Sequence, residues 1–120
     1  MATVPWVDLI SPPGYRGKYT VISWQLTNGD DGQFLEVVDW ADRCISVEGA
    51  FGAGGTCIIE GRNTPGGQWF TLTDQQGNQL SFTQAGLKHI FEFCRQIRPR
   101  VTAGDASTAL TIAINEKLLG

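Results

Sequence analysis

From Lys18 to Leu26 the chain changes character at every step. Thr20, Ile22, Trp24 and Leu26 fall on one side, and Tyr19, Val21, Ser23 and Gln25 on the other. A period of two is what a strand with one buried face requires. A helix would repeat its apolar positions every three to four residues instead. Asn28-Gly29 and Asp31-Gly32 follow directly, and such pairs turn one strand into the next.

The same grammar continues to the end of the chain. Phe34 to Val38 reads as extended, Asp39-Trp40-Ala41-Asp42 as an interruption, and Arg43 to Glu48 as a strand with Ile45 and Val47 inward. After a glycine-rich loop over Gly49 to Gly55, Thr56 to Glu60 turns Cys57 and Ile59 to one face. Gln68 to Thr73 is expected to bury Phe70 and Leu72, and Gln79 to Thr83 to bury Leu80 and Phe82. Ile97, Pro99 and Val101 alternate with Arg98 and Arg100, and Pro99 argues for a sheet edge because it has no N–H to donate. Ala106 to Asn115 closes the chain with Leu110, Ile112 and Ile114 inward. Roughly seven to nine short strands at intervals of about eight to twelve residues describe an all-β sandwich. One stretch is ambiguous. Leu87, Ile90, Phe91, Cys94 and Ile97 fit a helical period, whereas Leu87, His89, Phe91 and Phe93 would share one strand face.

The first 17 residues differ from the rest. Pro5, Pro12 and Pro13 exclude a helix interior, yet Val4, Trp6, Val7, Leu9 and Ile10 make the segment apolar. The expected organisation is therefore an extended arm over 1–17 and a single sandwich domain over 18–120. The arm either covers an open end of its own sandwich or docks on another subunit.

Composition limits the partners. With 120 residues the chain holds one core. A net charge of −3 lacks the basic footprint of a nucleic-acid binder. No apolar run reaches the ~18 residues of a membrane span, so no membrane partner is expected. The N-terminus has no basic-then-apolar signal pattern, and synthesis in a cytoplasm is expected. Three cysteines, Cys44, Cys57 and Cys94, read as buried free thiols rather than a disulfide set.

Catalytic chemistry is not evident. The one histidine, His89, lies among Ile90, Phe91 and Phe93 and reads as a packed imidazole, and its spacing from Cys94 does not suit a metal. Asp30 with Asp31 and Asp39 with Asp42 fall in turns, where Asp caps backbone N–H groups. The Gly49–Gly55 loop lacks a P-loop ending, and Asn28 to Gly32 lacks the EF-hand spacing for calcium. The reading is a non-enzyme without cofactor or metal. Of the tryptophans, Trp24 belongs to the core, while Trp40 and Trp69 are candidates for an interface or a sugar platform.

Ser46 to Ile114 contains Trp69-Phe70-Thr71-Leu72-Thr73-Asp74, Gly77-Asn78, Ile97-Arg98-Pro99, Val101-Thr102 and Leu110-Thr111-Ile112. This pattern resembles a family of small bacteriophage virion proteins, the capsid cement or decoration proteins. The resemblance covers a little over half the chain. It implies a jelly-roll-like antiparallel sandwich on the outer surface of an icosahedral capsid, a homo-oligomer bridging neighbouring major capsid protein subunits. It also implies an extended segment before Ile97. Glu60 to Trp69 is similar as well to galactose-binding-like domains of the discoidin type, departing from them at Arg62 and at Thr64-Pro65. That second likeness implies a carbohydrate-binding module of a tail or surface protein. The contact residues expected on the cement reading are Trp6, Leu9, Ile10, Trp40 and Trp69, with Arg98 and Arg100 as a polar rim.

Overall fold

The computed structural model describes residues 2–10, 19–37 and 40–118, the side chains of residues 10, 19, 40, 41 and 118 excepted. The expected arm residues 11–17, and Val38 and Asp39, lie outside the described residues.

The described residues form strands and no helix. They are β1 (Thr3–Val4), β2 (Val7–Ile10), β3 (Tyr19–Thr27), β4 (Asp31–Gly32), β5 (Leu35–Glu36), β6 (Trp40–Ala50), β7 (Thr56–Arg62), β8 (Phe70–Thr71), β9 (Ser81–Phe82), β10 (Gly86–His89), β11 (Gln96–Ala103) and β12 (Ala109–Leu118). One sheet runs β10-β6-β12-β3-β2, entirely antiparallel. The other runs β1-β4-β11-β7-β8, with β5 pairing β11 and β9 pairing β7. The architecture is the expected all-β, jelly-roll-like sandwich.

Alternation builds the core. Ile22, Trp24 and Leu26 of β3 meet Ile45 and Val47 of β6 and Leu110, Ile112 and Ile114 of β12. From the second sheet come Cys57, Ile59, Ile97 and Val101. Trp24 is fully buried, and its indole Nε1 donates to the Gln33 carbonyl at 3.0 Å, so its one polar atom is satisfied. Gly49 is required where β6 crosses β12. Its φ is +120°, and a Cβ there would lie 2.4 Å from the Ala109 carbonyl oxygen.

The described part of the expected arm pairs within its own chain: β1 pairs β4 and β2 pairs β3, with Trp6 packed against the core. The expectations for individual strands need three corrections. The described part of the interruption over 39–42 belongs to β6. Asp42 and Arg43 together oppose Glu116, and Asp42 takes φ +49°, so the polar break is a β-bulge. Within the described part of the extended piece over 34–38, strand pairing covers two residues, Leu35 and Glu36. Pro99 is not at an edge, since β11 lies between β4 and β7. It is tolerated because β11 pairs β5 at Ile97 and β4 at Arg100, leaving Pro99 level with the gap between those two short strands.

Candidate functional site: an aromatic-rimmed groove

At the β8 edge of the second sheet lies a groove of about 490 Å³. Its floor is Gly61, Leu72 and Cys94, and its rim is Phe70, Phe93 and the 62–68 turn. Gly61 makes the floor possible, because a Cβ there would lie 2.6 Å from the Cys94 sulfur and 2.8 Å from Leu72. Phe70 is opposite Gly61 in the β7–β8 pairing, on the inward register expected for it. It is nevertheless 59% exposed, because β8 is the last strand of its sheet and nothing covers the ring. The expectation that Phe70 is buried is therefore corrected.

The opposite wall is the segment between β10 and β11, which is extended as the resemblance implied. Ile90 and Cys94 are buried, while Leu87, Phe91 and Phe93 are 69%, 64% and 62% exposed. Two long-range clamps hold this segment. The Glu92 carboxylate accepts from the Thr73 backbone N–H at 2.8 Å and from the Thr73 hydroxyl. These bonds keep its pKa below the ordinary value despite partial burial, which acts in the opposite direction. From the interior, the Arg43 guanidinium donates to the Glu92 carbonyl and lies 5.4 Å from the Phe93 ring centroid.

Arg43 is 3% exposed, and its Nε and Nη1 have no hydrogen-bond partner among the described residues. Glu116, the next inward position of β12 after Ile114, is 1% exposed, with Oε2 also unpartnered. Burial pushes its pKa up to about 7, against the attraction of Arg43. Cys94 completes this interior group, its thiol raised by burial although Arg43 draws it down.

Of the expected site residues, Trp69, Arg98 and Arg100 meet on the outer face of one sheet, away from the groove, and Leu9 does not join them. Leu9 is 57% exposed on β2, at the far side of the other sheet. Ile10 and Trp40 close β2 and open β6, and their side chains lie outside the described ones. Trp69 lies on the outer face of the β11–β7 pair, with the Arg62 and Arg98 guanidiniums 4.1 and 4.3 Å from its ring centroid. They occupy stacking surface that a pyranose would need. Arg98 pairs with Glu60 at 3.0 Å, and Arg100 with Asp31 at 3.1 Å. Both arginines are thus committed within the chain. Sequence reasoning missed the groove. The available signal was Phe93, which the strand register put on one face with Leu87, His89 and Phe91 and which is exposed at the groove rim. His89 is only half-buried, with Nδ1 unpartnered, so it is less enclosed than a packed imidazole. Among the described residues, no three His, Cys, Asp or Glu side chains could together hold a metal ion.

No protein-family model and no curated protein matches the chain. Solved structures do match in fold. A crystal structure of the SPBc2 prophage-derived protein YomS aligns with a TM-score of 0.61 at 11% identity, covering 82% of this chain and 93% of that one. A structure of oxalate oxidase aligns with a TM-score of 0.55 at 8% identity, covering 94% of this chain and 50% of that one. Peruvianin-I, titled a cysteine peptidase from Thevetia peruviana latex, aligns at 0.53 and 12% identity, covering 97% of this chain and 62% of that one. The chain thus spans nearly the whole prophage protein but less than two thirds of the other two. These likenesses establish the fold. They also overturn the expectation of a non-enzyme, since the same sandwich is found in proteins titled as enzymes, and they assign no activity to this chain.

Proposed function

We propose that this chain is a structural protein of a bacteriophage virion, a cement or decoration protein that binds the major capsid protein on the outer capsid surface. The observation that carries the reading is the groove with its exposed aromatic rim, Phe70 and Phe93. Large exposed aromatics around a concave floor are the anatomy of a protein-docking site, where a few buried rings supply most of the binding energy. The floor is apolar, and the 62–68 turn adds exposed polar groups beside it. The groove therefore suits one apolar side chain of an extended segment, with that turn available to its main chain. The likeness to a prophage-derived protein along nearly its full length supports a phage setting.

The experiment is co-sedimentation of the purified protein with capsids of its phage, comparing wild type with the Phe70→Ser, Phe93→Ser double variant. Both rings are more than half exposed, so the variant should fold normally by circular dichroism. The reading requires its capsid occupancy to fall at least tenfold. Occupancy equal to wild type would overturn it.

A further inference from the structure

Arg43 and Glu116 interrupt the apolar interior from neighbouring strands. Arg43 is the inward position of β6 before Ile45, and Glu116 the inward position of β12 after Ile114. The bulge sets Asp42 and Arg43 together opposite Glu116, so the two inward side chains start about 5 Å apart. Both carry buried polar atoms without a partner among the described residues, Nε and Nη1 on Arg43 and Oε2 on Glu116. Yet neither residue belongs to any described ion pair. The guanidinium leans the other way instead, with Nη2 donating to the Glu92 carbonyl. Sheet order makes these two acceptors alternatives. β6 lies between β10 and β12, so the segment leaving β10 and the Glu116 carboxyl flank Arg43 on opposite sides.

We propose that Arg43 is a two-position latch on the aromatic wall. It holds the Glu92 carbonyl while Glu116 is protonated and turns to the Glu116 carboxylate once that proton leaves, which loosens Phe93 at the groove rim. A buried carboxylate left without a partner is strongly disfavoured, and among the described residues Arg43 is the one charge that acts on Glu116. A carboxylate can take two parallel bonds from a guanidinium, so it uses N–H groups that the single Glu92 carbonyl leaves idle. The other groups around the pair do not compete. Thr20, level with Glu116 on β3, is uncharged. Asp8 beyond it on β2 is exposed, as are Asp42 and Lys117 beside the bulge. The Glu92 carboxylate is committed to Thr73, and burial raises the Cys94 thiol, which keeps it neutral. Burial lifts the Glu116 carboxyl to about 7, which sets the pH at which the latch turns. With the latch turned, the segment keeps its ties to Thr73. It loses its interior tie together with the guanidinium beside the Phe93 ring. The inference concerns the wall itself and does not depend on the capsid reading.

The test is nuclear magnetic resonance of the folded protein at about pH 5.5 and about pH 8.5, comparing wild type with Glu116→Gln, which is neutral at both. Order parameters are measured on Cα–H bonds, whose hydrogens do not exchange with water. At the lower pH, Glu92, Phe93 and Cys94 should be as rigid as the sheets in both proteins, at about 0.85. At the higher pH they should fall below about 0.6 in wild type alone, while Trp24 and Ile112 stay rigid in both. The Glu116 carboxyl carbon should titrate across the same interval. A Glu116 carboxyl that keeps one state throughout would overturn the proposal, as would a wall that stays rigid although Glu116 titrates. So would a wall that loosens equally in Glu116→Gln, or a loss of order shared with Trp24 and Ile112.

Discussion

Glu116 offers the most direct test of how this sandwich is assembled. Its carboxyl is 1% exposed among core residues of β12, with one oxygen unpartnered, and its pKa is raised to about 7. The ordinary value for this group is 4.5, so the fold prefers the neutral acid. The sign follows from proton binding. Between 4.5 and 7 the folded chain holds a proton that the unfolded chain has released, so stability falls as pH rises through that window. The full difference is 2.5 pH units, from 7 − 4.5, or roughly 3 kcal/mol above pH 7. Part of this is already lost at pH 5, because the unfolded group is mostly ionised there, which leaves roughly 2–3 kcal/mol between pH 5 and pH 9. Glu116→Gln keeps the shape and the neutral charge at every pH. Urea denaturation of both proteins at pH 5, 7 and 9 should therefore show the variant gaining on wild type by roughly 2–3 kcal/mol across the series. Any constant offset from the substitution cancels in that comparison. Parallel stability curves would show that Glu116 is ionised and satisfied in the fold, and the reasoning would fail.

Two further outcomes follow from particular contacts. Gly61→Ala should destabilise by about 1–3 kcal/mol in thermal or urea unfolding, because its Cβ would meet Cys94 and Leu72 below 3 Å in a packed floor; a neutral result would mean that the floor yields easily. Trp69→Ala should cost about 1–2 kcal/mol by releasing the two guanidiniums stacked on it, and an unchanged urea midpoint would show that the stack contributes nothing.

Much of the fold was legible because β3 and β12 are long enough for alternation to be unambiguous. Thr20 to Leu26 and Leu110 to Ile114 bury the side that the pattern assigns to the core. Legibility ended where strands shrink to two residues. A piece as short as β8 has no period of its own, and whether an inward side chain is covered depends on which strand ends the sheet. Phe70 shows this directly: its register is inward and its ring is exposed. Pro99 shows the converse, since an edge signal was correct about a missing N–H partner and wrong about the strand's place. The notched partner, β4 then β5, resolves the conflict, and nothing in the local sequence around Pro99 encodes it. The groove was missed for a related reason. Apolar alternation says that a face is uniform and not which way it points, so Leu87, Phe91 and Phe93 could be assigned to the core as readily as to the surface.

The segment from Ile90 to Cys94 explains why periodicity left helix and strand equally open. A helix would satisfy its own backbone within four residues. Here the Ile90 N–H donates to the Arg43 carbonyl and the Phe91 N–H to the Thr73 carbonyl. The Glu92 carbonyl is taken by the Arg43 side chain, and the Glu92 carboxylate closes on Thr73. Each partner is 18 to 49 residues away in sequence. The extended form is therefore imposed by tertiary contacts, not local preference, and Arg43 is central to it. That places a buried charge with two unpartnered N–H groups at the point that holds Phe93 on the groove rim. The departures from the sandwich pattern, Arg43 and Glu116 inward and Phe91 and Phe93 outward, thus form one connected feature. A fold that tolerates an unsatisfied arginine in its interior loses stability there, and the structural return is an ordered aromatic wall that neither sheet would otherwise hold in place.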